Sequence, residues 1–112
     1  MPTASQKDKI LGYLGLAARA GKLVMGRGPL LDGLSRDAVV LVLIAADAGQ
    51  AVSTEVARVC QERAVPCYTV DGLTKYDLGS RLGRRAYSVV GLTSRDFARG
   101  IEDQIASLLS AD

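Results

Sequence analysis

The sequence predicts an α/β fold: a three-layer α-β-α sandwich around a central four-stranded mixed, largely parallel sheet. Three observations predict it. Ala38 to Ala46 is an unbroken apolar run of nine residues. That is far short of the roughly 20 needed to cross a bilayer, and it suits a central strand covered on both faces. Strand and helix patterns alternate along the chain, which implies helices on each side of a sheet. The 112 residues, 48% apolar and 23% charged, have an ordinary globular composition. That length suits one core, so residues 1–112 are read as a single domain.

The elements follow in order. Ser5 with Asp8 three residues later resembles a capping box. Ile10, Leu14, Ala17 and Ala18 then recur at helical spacing, and Gly21 is a natural stop. Gly12 and Gly15 inside this helix each cost roughly 1 kcal/mol relative to Ala, so a close neighbour is expected there. Lys22 to Met25 reads as a short strand. Gly28 as N-cap and Pro29 as first helical residue open a second helix, with Leu30, Leu31 and Leu34 as its apolar stripe, ending near Arg36. Val39 to Ala46 is the central strand. Val52, Val56, Val59 and Cys60 mark a third helix, closed by Val65-Pro66, and Cys67 to Val70 is the next strand. Thr74 with Asp77 caps a short helix through Leu78 and Leu82. Tyr87 to Leu92 is the last strand, and Thr93 with Asp96 caps a helix bearing Phe97, Ile101, Ile105 and Leu108.

Composition removes whole classes of function. The chain has no histidine, so His-based dyads, triads and metal sites are excluded. Cys60 and Cys67 are too few for a zinc site or a disulfide framework and read as free cysteines. The N-terminal residues form no apolar stretch, so no secretory signal is expected. Gly26-Arg-Gly28 lacks the third glycine of a dinucleotide fingerprint, and no Gly-rich loop is followed by the Lys-Ser/Thr pair of a P-loop. Asp47, at the carboxyl end of the central strand, has no catalytic partner in view and reads as a loop hydrogen-bonder. The expectation is a cytoplasmic, non-enzymatic protein with no cofactor, no metal and no membrane span.

Charge points to a partner. The net charge is +2, but it divides along the chain. Residues 7–36 carry +4, residues 37–71 carry −3, residues 72–100 carry +4 and the tail carries −3. Two basic blocks converging on folding would give one positive face, the footprint of a polyanion binder. Ten of the fourteen basic residues are Arg, whose planar fork suits phosphates. A helix opening with Gly-Pro also exposes backbone N–H groups to an anion. Arg84-Arg85 is either a phosphate clamp or a solvated corner, and Tyr76 either stacks on a base or packs.

A set of ordered residues carries a family resemblance. Gly21-Lys22, Gly26, Arg36 and Leu41-Val-Leu-Ile-Ala45 with Asp47 are followed by Cys60-Gln-Glu-Arg63, Val65-Pro66, Lys75-Tyr-Asp-Leu-Gly79 and Leu82-Gly83. The stretch from about Gly12 to Ile105 resembles the ribosomal-protein superfamily of kink-turn RNA binders (L-seven-Ae and L-thirty-e types), nearest to small bacterial YlxQ-like members. The resemblance implies a sandwich that binds structured RNA, ribosomal or kink-turn-like, with the ribosome as a further partner, through two regions. The first is the strand-to-helix turn at Gly26, Arg27 and Gly28, with Lys22 and Leu31 beside it. The second is the loop at Gly72, Leu73, Thr74 and Lys75. Arg27, Lys75, Arg84 and Arg85 would hold phosphates, while Leu73 and Tyr76 support an unstacked base.

The helix start departs from the family pattern. Kink-turn binders show Asn-Glu-x-x-Lys there, and this chain reads Gly28-Pro29-Leu30-Leu31-Asp32. Reversing the phosphate-facing charge costs about 1–3 kcal/mol of binding by analogy with charge pairs. A competing expectation is a protein-interaction module on the same scaffold, docking through exposed Leu30 and Leu31. The oligomeric state is not specified by the sequence.

Overall fold

Leu41–Ala45, the strand β2, is buried at every position, as its unbroken apolar run requires. Around it the computed structural model, which describes residues 4–83 and 86–109, arranges five helices and four strands. Before β2 come α1 (Ala4–Arg19), β1 (Leu23–Met25) and α2 (Arg27–Ser35). After it come α3 (Gln50–Glu62), β3 (Cys67–Val70), α4 (Lys75–Arg81), β4 (Val89–Leu92) and α5 (Arg95–Leu109). The sheet is mixed, with strand order β1-β4-β2-β3.

Successive side chains on β2 serve opposite faces, as the strand period of two dictates. Leu41, Leu43 and Ala45 join Val90 and Leu92 under α1, α4 and α5. Val42 and Ile44 join Val89 on the other face, under Leu30 and Leu34 of α2 and Val56 and Cys60 of α3. These are the two cores of the expected sandwich.

The sheet is less parallel than expected. Only β2 and β3 run parallel, while β4 is antiparallel to both β1 and β2. The reason is the shortness of α4. Seven residues span about 10 Å, too little to carry the chain across the sheet and back to the start of a parallel strand. Instead the chain returns to where α4 began, with Tyr87 N–H donating to the Lys75 carbonyl at 3.0 Å. It then enters β4 from the edge that it had just left. Tyr87 is thereby kept out of the strand, which starts at Val89 rather than at Tyr87.

Three local expectations change as well. α1 already includes Ser5, so the Ser5–Asp8 pair is not its cap, and Asp8 instead faces Arg81 at 3.5 Å. α2 starts at Arg27 with Gly26 as N-cap, so Pro29 occupies the third helical position rather than the first. Gly12 and Gly15 have no close neighbour: a Cβ on either would meet nothing within 4 Å. The close approach between α1 and α5 is made by Gly100, where a Cβ would lie 2.7 Å from the Tyr13 ring. Gly91 plays the same part under α2, where a Cβ would come within 2.5 Å of Leu30.

Other expectations hold. Gly21 ends α1 with φ 71°, and Lys22 N–H closes the turn on the Ala17 carbonyl at 2.8 Å. Cys60 and Cys67 are free, the first buried and the second half-buried. A hydrogen bond to Cys67 and burial push the Cys60 thiol up, which suits a structural rather than a reactive thiol.

Candidate nucleic-acid interface

One edge of the sheet gathers the ends of β1, β2 and β3 with the start of β4, as the strand register requires. Four loops therefore lie side by side there. The turn into α2 depends on Gly26, whose φ of 90° is a conformation that a side chain strains. Its N–H donates to the Val89 carbonyl at 3.0 Å, and the Tyr87 ring packs against it. Leu30 N–H returns to the Gly26 carbonyl at 3.1 Å. Pro29 has no N–H, so Arg27 and Gly28 are left to present theirs at the helix opening.

The second segment is built on Thr74. Its hydroxyl accepts from Asp77 N–H at 3.1 Å, while the Asp77 carboxylate accepts from Thr74 N–H at 2.9 Å. This is the capping box that the Thr74–Asp77 spacing predicts. Burial alone would raise the Asp77 carboxyl, but Lys7 at 2.9 Å and the Thr74 donors outweigh it and hold it below its usual range. Gly72, with φ 83°, turns the chain so that Leu73 enters the core. Asp47 Oδ1 accepts from Lys75 N–H at 2.8 Å and ties the loop after β2 to the start of α4.

Gly26, Arg27 and Gly28 are thus brought to the same edge as Gly72, Thr74 and Lys75, with Tyr87 as the bridge. The side chains differ from expectation in several ways. Leu73 is fully buried, so its side chain holds the loop instead of facing a base. Tyr76 is 63% exposed beneath the Lys75 ammonium, which sits 5.6 Å from the ring centre. Tyr76 is therefore the aromatic surface of this edge. Arg27 is held back on α3 by Glu55, with Nε to Oε1 at 2.5 Å and Nη2 to Oε2 at 2.9 Å. The hydrogen bond from Arg27 lowers the Glu55 carboxyl and raises the guanidinium. Leu30 is fully buried and Leu31 half-buried against the α2–α3 core, so the two do not form an exposed docking patch. Arg84 and Arg85 lie outside the described residues.

Lys22 is not at this edge. It lies at the opposite end of β1, where its carbonyl accepts from Thr93 N–H at 3.0 Å. The first basic block is therefore split between opposite edges of the sheet, with Arg27 beside Lys75 at one and Lys22 at the other. Sequence reasoning also missed Glu55 and Tyr87. Glu55 stands 28 residues from Arg27, a separation with no local signal. The apolar pattern places Tyr87 in a strand, which hides its role in joining the two loops.

No curated protein matches the sequence at a significant level. Among solved structures, a protein of unknown function from Bacillus halodurans is similar, with 28% identity and a TM-score of 0.81. The likeness covers 88% of this chain and 97% of that one. A 15.5 kD RNA-binding protein from Giardia lamblia is 17% identical with a TM-score of 0.77, over 96% of this chain and 90% of that one. At that identity the likeness speaks to the fold. The sequence profile of the ribosomal protein L7Ae/L30e/S12e/Gadd45 family matches residues 8–99, which spans both loops of the Gly26–Lys75 edge. The chain belongs to that family.

Proposed function

We propose that this protein binds structured RNA without catalysing a reaction, and that the RNA is ribosomal or ribosome-associated. The observation that carries the reading is the joining of the Gly26–Gly28 turn to the Gly72–Lys75 loop at one sheet edge through Tyr87. Backbone N–H groups of Arg27 and Gly28, the Lys75 ammonium and the exposed Tyr76 ring there offer donors, charge and a stacking face. The family membership and the fold shared with an RNA-binding protein support the same reading.

Recognition of a kink-turn is the finer question. At the places where such binders carry Asn, Glu and Lys, this chain has Gly28, Pro29 and Asp32, and Asp32 is paired with Arg36 at 3.1 Å. Contacts here are therefore to phosphate and ribose more than to base edges, which position an RNA without reading its sequence. The test is a titration with a kink-turn RNA and with a hairpin lacking tandem G·A pairs, each at two salt concentrations. Submicromolar, strongly salt-dependent binding to structured RNA is expected, with little preference between the two. Micromolar or weaker binding, indifferent to salt, with every RNA would refute the proposal.

A further inference from the structure

The opposite edge of the sheet holds three exposed cations that the RNA reading of the Gly26 turn leaves unused. Lys22 enters β1 there, Thr93 bonds to its carbonyl, and Arg95 begins α5 two residues on. Arg95 and Arg99 lie one helical turn apart on α5. Together with Val40 they line a cleft of about 230 Å³. None of the three side chains forms an ion pair or hydrogen bond among the described residues. Five cations elsewhere in the molecule are paired instead. Arg36 is paired with Asp32, Arg63 with Asp37, Arg58 with Glu62, Arg81 with Asp8 and Lys7 with Asp77. An unpaired cluster is available to an external anion at no cost in broken ion pairs. Glu102 and Asp103 line the same cleft further along α5, so the anion-facing part is its Arg95 end.

We infer that Lys22, Arg95 and Arg99 form a second contact for the phosphate backbone of RNA, on the edge opposite the Gly26 turn. The inference rests on the RNA reading above and extends it. An RNA that engages both edges must pass along the sheet by the length of a strand, about 13–17 Å for four or five residues. The molecule measures 33 × 29 × 26 Å, so one folded RNA can reach both edges. The second contact contributes affinity and salt dependence and no base readout.

The test compares the unaltered protein with an Arg95→Gln/Arg99→Gln double variant and an Arg58→Gln control, using a structured RNA across a salt series. Both altered arginines are exposed, and circular dichroism checks that the fold is retained. The double variant is expected to bind about tenfold more weakly at low salt. Its log–log salt slope should fall by about 1.4–1.8, the share of two phosphate contacts, with the control unchanged. RNA binding by the unaltered protein with the same affinity and slope in the double variant overturns this inference alone. Failure of the unaltered protein to bind any RNA overturns the RNA reading and this inference with it. Poly-L-glutamate serves as a third probe. If the double variant loses poly-L-glutamate but keeps RNA, the edge belongs to an acidic protein and the inference is overturned.

Discussion

The two edges of the sheet solve opposite problems. At the Gly26 edge the backbone is elaborately fixed and Arg27 is neutralised, so that among the described residues Lys75 supplies the charge. Gly26, Thr74, Lys75 and Tyr87 are all held by hydrogen bonds, and Arg27 is bound to Glu55. At the Lys22 edge the cations are unpaired and held only by the elements that carry them. A preorganised backbone favours recognition of a shape, because little conformational freedom is lost on binding. Arginines outside any ion pair favour attraction at a distance, with Glu102 and Asp103 of the same cleft reducing their field on its far side. The division of labour suggested by the structure is shape at one edge and charge at the other.

That contrast can be broken in several ways, the most severe first. Gly91→Ala places a methyl group 2.5 Å from Leu30 Cδ1 and 3.0 Å from Val39 Cγ1. Overpacking of this kind costs about 1–3 kcal/mol. At roughly 4–8 °C per kcal/mol for a domain of this size, the melting temperature should drop by at least several degrees. The displaced element is α2, which carries the Gly26 turn, so RNA binding should suffer even where the protein stays folded. An unchanged melting temperature would show that α2 does not sit on β4 this closely.

Lys75→Glu comes next. Reversing the half-buried cation beside Tyr76 is expected to weaken RNA binding about tenfold, across all RNA sequences alike. Gel-shift titrations at fixed salt measure it, and an unaltered affinity would remove Lys75 from the interface.

Glu55→Gln has the opposite sign. It releases Arg27 from its ion pair, so affinity for RNA is expected to rise about two- to fivefold, in keeping with the small strength of exposed pairs. Acid should act in the same direction. The Glu55 carboxyl is lowered, so its ion pair is fully present above the ordinary carboxylate range and is lost only as pH falls through the lowered value. From pH 7 down to about 5 the pair should therefore persist, and RNA affinity measured over that span should show no gain from Arg27 release.

The smallest effect belongs to neither edge and serves as the calibration. Gly15 is helical, with open space where a Cβ would go. Gly15→Ala should therefore stabilise the protein by about 0.5–1 kcal/mol in denaturant titrations, with RNA affinity unchanged.

How much of this was legible in the sequence depends on the range over which each signal acts. Local signals were readable. The apolar run from Ala38 to Ala46 marked the central strand, Thr74 and Asp77 marked a helix start, and Gly21 marked a helix end. Each rests on residues within one or two turns of one another. Signals that depend on how distant segments meet were not readable. The antiparallel entry of β4 follows from the shortness of α4 and the return of Tyr87 to Lys75, which no periodicity encodes. The pairing of Arg27 with Glu55 spans 28 residues. Gly12 and Gly15 suggested a close packing that Gly91 and Gly100 provide instead, because a glycine in a helix says that space is needed only when a neighbour fills it. Counting charge along the chain found the basic blocks but could not tell that a strand's length divides Lys22 from Gly26.

The most direct measurement is an amide chemical-shift titration of isotopically labelled protein with a structured RNA. The account predicts that the largest perturbations fall on Arg27, Gly28, Thr74 and Lys75, with a second, smaller set around Lys22 and Arg95. RNA binding that leaves the amides of residues 26–28 and 72–75 unmoved would contradict it.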